Sequence, residues 1–149
     1  MEIEIIKYKQ KKDITLDFAK LLNDTLAYIK ILHWYSNDIN IHYIFDELYK
    51  SLAKNFDKFQ EELIETSKHQ NNNFPIFNFQ NFKYDDIENI YDNNIKDIFI
   101  SNISKFLNVL NSLEINSYIK SVNSGLLNTR DDIITNINKS KYLISMVKI

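Results

Sequence analysis

The sequence predicts an all-α protein: a four-helix bundle with one long crossover connection and a short helix within that connection. Three observations carry this reading. Apolar residues recur every three or four positions through four stretches of chain. The 149 residues include one Gly (Gly125) and one Pro (Pro75), so an all-β chain would lack its turn residues. The main stretch without helical spacing, HQNNNFPIFNFQNF at 69–82, is Asn-rich and holds that Pro.

The elements follow in order. Residues 2–7 alternate charged and apolar, as a strand or extended segment does. With Lys7, Lys9, Lys11 and Lys12, residues 1–12 read as an extended basic N-terminal arm. From Asp13 the period becomes helical: Phe18, Leu22, Leu26 (or Thr25), Ile29 and His33 share one face. The polar SNDIN at 36–40 breaks this helix. A second runs from about 40 to 68 on Ile41, Phe45, Leu48, Leu52, Phe56, Phe59 and Leu63. Residues 69–82 form the connection, with four Phe to pin it across the bundle, and 85–92 form a short helix. Spacing resumes at Ile95, Ile98, Phe99, Ile103, Phe106, Leu107 and Leu110. The stretch 112–124 has no clear period. Asn128 or Thr129 is the expected cap of a last helix through Ile133, Ile134, Ile137 and Leu143.

Residues 1–149 read as a single domain, long enough to bury roughly 68–70% of the unfolded surface. Zero Cys excludes disulfides and thiolate metal sites. One Gly excludes glycine-rich phosphate loops. The net charge of −2 argues against a strongly basic nucleic-acid binder, although the lysine arm offers a DNA tether. No apolar run approaches a membrane span, and the charged start MEIEIIKYKQKK has no small-residue cleavage site, so a cytoplasmic location is expected. Three His with no nucleophile motif leave no hydrolytic triad.

Chemistry concentrates on the second helix. His42 and Asp46 are four apart, as are Asp57 and Glu61, and at about 100° per residue all four lie on one stripe beside the apolar face. Imidazole plus carboxylates suit iron, zinc or manganese. The two pairs are about 22 Å apart along the axis, too far for one ion. They are, however, placed symmetrically about Ser51 and Leu52. An antiparallel two-fold dimer through this helix brings His42 and Asp46 of one subunit against Asp57 and Glu61 of the other, twice. His33 can join from the first helix. Glu65 and His69, also four apart, read as a solvated helix end.

The run ILHWYSNDINIHYIFDELYKSLAKNFDKFQEEL resembles the Dps mini-ferritins of the ferritin-like superfamily. The matching pattern is His33-Trp34, then His42-x3-Asp46, ten residues, and Asp57-x3-Glu61. The resemblance implies a ferroxidase site, mono- or di-iron, across a two-fold interface. Its ligands would be His33, His42 and Asp46 from one chain and Asp57 and Glu61 from the mate. It also implies assembly into a dodecameric shell, and DNA contact through the basic tail. The gap between the two histidines is three residues shorter than is usual in Dps, and the glycine common in that turn is absent. The short gap and the ending LLNTRDD…IN…YL are similar to an uncharacterised ferritin-like family of large DNA viruses. That likeness implies a virion or viral-factory location. The expected function is therefore a Dps-like oligomer that binds and oxidises Fe(II). The alternative is a non-enzymatic viral structural or genome-associated protein on the same bundle.

Overall fold

The computed structural model describes residues 8–9, 11–68, 74–75, 82–91, 93–112, 115 and 124–148. Four helices make up most of these: α1 (Lys11–Tyr35), α2 (Ile39–Lys68), α3 (Ile95–Leu110) and α4 (Ser124–Met146). Two short strands, β1 (Tyr8–Lys9) and β2 (Phe74–Pro75), pair antiparallel. Among the described residues, no helix is long and apolar enough to cross a membrane. The alternation at 2–7 lies outside the described residues, as do most of 69–81 and 113–123.

α2 is the spine. Its 30 residues contain no Gly or Pro. Every apolar residue expected on its inner face is buried, and Ser67 extends that row. α1 packs antiparallel beside it: Phe18 meets Phe59 with ring centroids 5.7 Å apart, and the Gln60 amide donates to the Thr15 carbonyl at 2.7 Å. On the other flank α4 is also antiparallel: Thr129 lies beside Glu62 toward one end, and Leu143 lines a groove with Tyr43 and Ile44 toward the other. α3 runs parallel to α2, because Phe45 packs on Phe99 (5.1 Å) and Phe56 on Phe106 (5.6 Å), edge to face.

Two boundaries differ from expectation. α1 starts at Lys11, and its buried face is Phe18, Leu21, Leu22, Thr25, Tyr28, Ile29 and Leu32. Leu26 and His33 lie at the margin, half-buried, because the core lies between α2 and α3 and the face turns toward both. α4 starts at Ser124, so Asn128 and Thr129 cap nothing. Thr129 is buried inside the helix and donates back to the Gly125 carbonyl at 3.1 Å, an alternative to capping open to any helical Thr. Leu143, expected inside, is 39% exposed. The expected short helix at 85–92 is a single 3-10 turn, Ile87–Asn89. The single arginine closes α3: buried Arg130 donates from one guanidinium nitrogen to the Leu110 carbonyl at 3.2 Å, satisfying an acceptor left over at that helix end.

A polar plug fixes the segment before α3 to the core. Tyr84 stacks on Tyr28, centroids 4.2 Å apart and planes 3° off parallel, while Phe82 meets Tyr84 edge-on. The Thr25 hydroxyl donates to the Leu21 carbonyl at 2.9 Å, so the Tyr84 hydroxyl must donate to Thr25, at 2.5 Å. The Asn102 amide donates to the Tyr28 oxygen (3.1 Å) and the Asp85 carbonyl (2.7 Å) and accepts from the Asp85 N–H (3.0 Å). Removing Asn102 strands several of these groups at once. Asn102→Ala is expected to cost about 2–3 kcal/mol in urea unfolding.

Burial pushes both phenols above the ordinary tyrosine range, in Tyr28 against the opposing hydrogen bond it accepts from Asn102. The folded chain then holds protons that the unfolded chain releases near pH ~10. This contribution is complete below that pH and is lost as pH rises above it. Thermal melts are expected to fall steeply on the alkaline side, and less steeply for Tyr28→Phe/Tyr84→Phe.

Candidate metal centre

The α1–α2 corner is built by two side chains. Ser36 donates to the Leu32 carbonyl at 2.5 Å, satisfying an acceptor in the last turn of α1. The Asp38 carboxylate accepts from the N–H groups of Asn40 (2.9 Å) and Ile41 (3.0 Å), which caps α2. The connection is thus only three residues, 36–38. It holds the end of α1 against the start of α2.

That tight corner brings the two histidines together. The rings of His33 and His42 stack with centroids 4.0 Å apart. His33 Nδ1 lies 3.1 Å from the His42 carbonyl, and His42 Nδ1 lies 2.9 Å from the His33 carbonyl. A carbonyl only accepts, so each Nδ1 carries the hydrogen. In the neutral rings, both Nε2 atoms therefore hold a lone pair. A second group fixing Nδ1–H is the usual arrangement behind a metal-binding imidazole. The short gap between these residues allows the contact, because a longer loop would not tie the two backbones so closely.

Asp46 stands one turn beyond His42, with its side chain 25% exposed. Its carboxyl is held below the usual carboxylate range, first by a hydrogen bond from Lys50 (2.9 Å); burial opposes this, and the charges of Lys50, His33 and Lys30 each add a smaller pull downward. Lys30 sits over the rings of Tyr49 (4.6 Å) and Trp34 (5.8 Å). Trp34 itself is 65% exposed and shields nothing within one chain. Three of the five sequence-derived candidates thus share one neighbourhood.

Asp57 and Glu61 do not join them. Both are exposed, three to four turns along α2. Asp57 borders a groove of about 200 Å³ between α1 and α2, beside Ala19, Ala53 and Gln60. Among the described residues, no group of three or more His, Asp or Glu side chains in one chain has a geometry fit to hold a metal. The buried polar side chains among the described residues are hydroxyls, the Asn102 amide and Arg130, with no carboxylate or imidazole.

The other candidates fall elsewhere. Glu65 pairs with Lys68 at 3.7 Å on the solvated end of α2, and His69 lies outside the described residues. Of the basic arm, Lys9 lies in β1 while Lys11 and Lys12 open α1; Lys7 is outside the described residues. Lys30 and Lys50 were not singled out from sequence as part of the site, though the Asp46–Lys50 spacing of four was a readable sign of an ion pair.

With this geometry in place, comparison with known proteins gives no match: no family model, no curated protein and no solved structure is similar to this chain.

The histidine arrangement has a direct readout. Long-range nitrogen–proton NMR at pH 8 is expected to show both imidazoles as the Nδ1–H tautomer. An Nε2–H form for either ring overturns the ligand geometry.

Proposed function

We propose that this protein is a Dps-like oligomer that binds Fe(II) as substrate at sites shared by two-fold-related subunits and oxidises it with peroxide or dioxygen. The observation that carries the reading is the reciprocal pair of bonds that ties Nδ1 of His33 and of His42 to the other's carbonyl. It fixes two stacked imidazoles with both Nε2 atoms left open, one helical turn from Asp46. One chain stops there, and the mate's Asp57 and Glu61 would complete the donor set. A mixed nitrogen and oxygen set suits iron, and suits zinc or manganese as competitors. The protein's part is to hold the ion and leave positions open for the oxidant, which takes the electrons from Fe(II).

Two features of the fold support the same reading. α2 and α3 run parallel, as the two helices joined by the long connection of a ferritin-like bundle do. The open stripe of α2 also carries more than ligands. Ile39 and Ile64, 62% and 39% exposed, are equidistant from the Ser51–Leu52 midpoint, like the His42–Glu61 and Asp46–Asp57 pairs. An antiparallel mate would cover both, and full burial of an isoleucine stabilises by about 1.5–3 kcal/mol.

Anaerobic Fe(II) loading followed by oxidant, monitored by ferric absorbance, tests the proposal. Asp57→Ala/Glu61→Ala is expected to lower the oxidation rate at least tenfold while the bundle melts normally, since both side chains are exposed. An unchanged rate overturns the site. Failure to bind any metal with an intact dimer would favour the structural, genome-associated alternative.

A further inference from the structure

The open stripe of α2 contains a cation of its own. Lys50 lies one turn beyond Asp46 and is bonded to its carboxylate at 2.9 Å, with a weaker approach to Glu47 at 4.0 Å. Its position is set by helix geometry: residues four apart stack on one face. Lys50 also lies next to the Ser51–Leu52 midpoint, between Asp46 and Asp57 in sequence. In the antiparallel pairing, Lys50 falls opposite Ala53 of the partner subunit, one turn from the partner subunit's Asp57. The small side chain there leaves room for the lysine stem.

This placement matters because the proposed dimer has an electrostatic defect. Asp46 of one chain faces Asp57 of the other, carboxylate against carboxylate. Glu61 faces His42, which does not offset the clash when the imidazole is neutral. Without a cation between them, the two subunits repel at both sites. Lys50 is the cation already bonded to one member of that pair. The ring-bound Lys30 acts on Asp46 only at longer range.

We propose that Lys50 is the site's built-in countercharge: in the metal-free dimer its ammonium stands between Asp46 and the partner subunit's Asp57, and an incoming metal ion must displace it. The inference rests on the shared-site reading above. Displacement is feasible because an exposed lysine–carboxylate pair is individually weak and Lys50 is 64% exposed, so its head group can move to solvent. Lys50 is then an affinity-setting residue. It lowers metal affinity, and in exchange keeps the empty dimer together.

The test uses the full chain, with Co(II) as probe. Co(II) binding is read from its visible ligand-field spectrum, and the metal-free monomer–dimer equilibrium from sedimentation. Lys50→Met keeps the length of the stem and removes the charge; Lys50→Arg keeps the charge. The methionine variant is expected to bind Co(II) about tenfold more tightly and to dissociate about tenfold more readily when metal-free. Co(II) should restore its dimer. The arginine variant should follow the parent on both readouts. A helix-surface role alone would move neither in this paired, opposite way. If the parent binds Co(II) through Asp46 and Asp57 but Lys50→Met changes neither quantity, the countercharge idea fails and the site stands. If the parent binds no Co(II), or binding survives Asp57→Ala/Glu61→Ala, the site fails and the inference falls with it.

Discussion

A straight rod sets the terms for everything else in this molecule. α2 has 30 residues and no helix breaker, so it spans about 45 Å. One face is committed to the core at every turn from Ile41 to Leu63. With α1 on one flank and α4 on the other, a single strip is left open, and polar residues on it cannot reach each other when they are several turns apart. His42 and Asp46 at one end are therefore separated from Asp57 and Glu61 at the other by rigid helix, and no side-chain motion closes the gap. Chemistry that uses both ends needs a second rod.

The remainder of the bundle keeps that rod fixed. Tyr84 and Asn102 lock the approach to α3 into the core through shared hydrogen bonds, and Arg130 closes the end of α3 from α4. These contacts sit on the side of α2 away from the open strip. Among the described residues, the buried polar side chains are hydroxyls, the Asn102 amide and the Arg130 guanidinium, none of which suits a cation. A bundle with carboxylates inside would place its metal there. This one carries its carboxylates on the surface of α2, where a partner can meet them.

How far the sequence revealed this depends on the element. The inner face of α2 was fully legible, because a long amphipathic helix repeats its period many times and each apolar residue confirms the last. The face of α1 was legible in part: Phe18, Leu22 and Ile29 are buried as expected, and of the alternatives Leu26 and Thr25 it is Thr25. Thr25 bonds to Tyr84, 59 positions away, and Tyr28 to Asn102, 74 positions away, and a local period carries no trace of such partners. The start of α4 was placed late for a related reason: Thr129 looks like a cap in sequence and bonds inward in the fold. His33 was a candidate from its place on the first helix, and the His-Trp spelling added to it. What brings it to His42 is a three-residue corner held by Ser36 and Asp38, which only the structure displays.

The charges at the corner decide how the site must work. In one chain, two stacked imidazoles stand one helical turn from a single carboxylate, and two lysines bear on that carboxylate: Lys50 by direct contact and Lys30 from its seat over Tyr49 and Trp34. One negative charge against two positive ones is a poor welcome for a divalent cation. The balance reverses only when Asp57 and Glu61 arrive from elsewhere, adding two negative charges to the same space. In the proposed dimer, metal binding and self-association are then thermodynamically linked: bound metal strengthens the pairing by the same factor as pairing strengthens metal binding. A monomer of this chain should be a poor metal ligand for electrostatic reasons alone, even with every histidine correctly oriented.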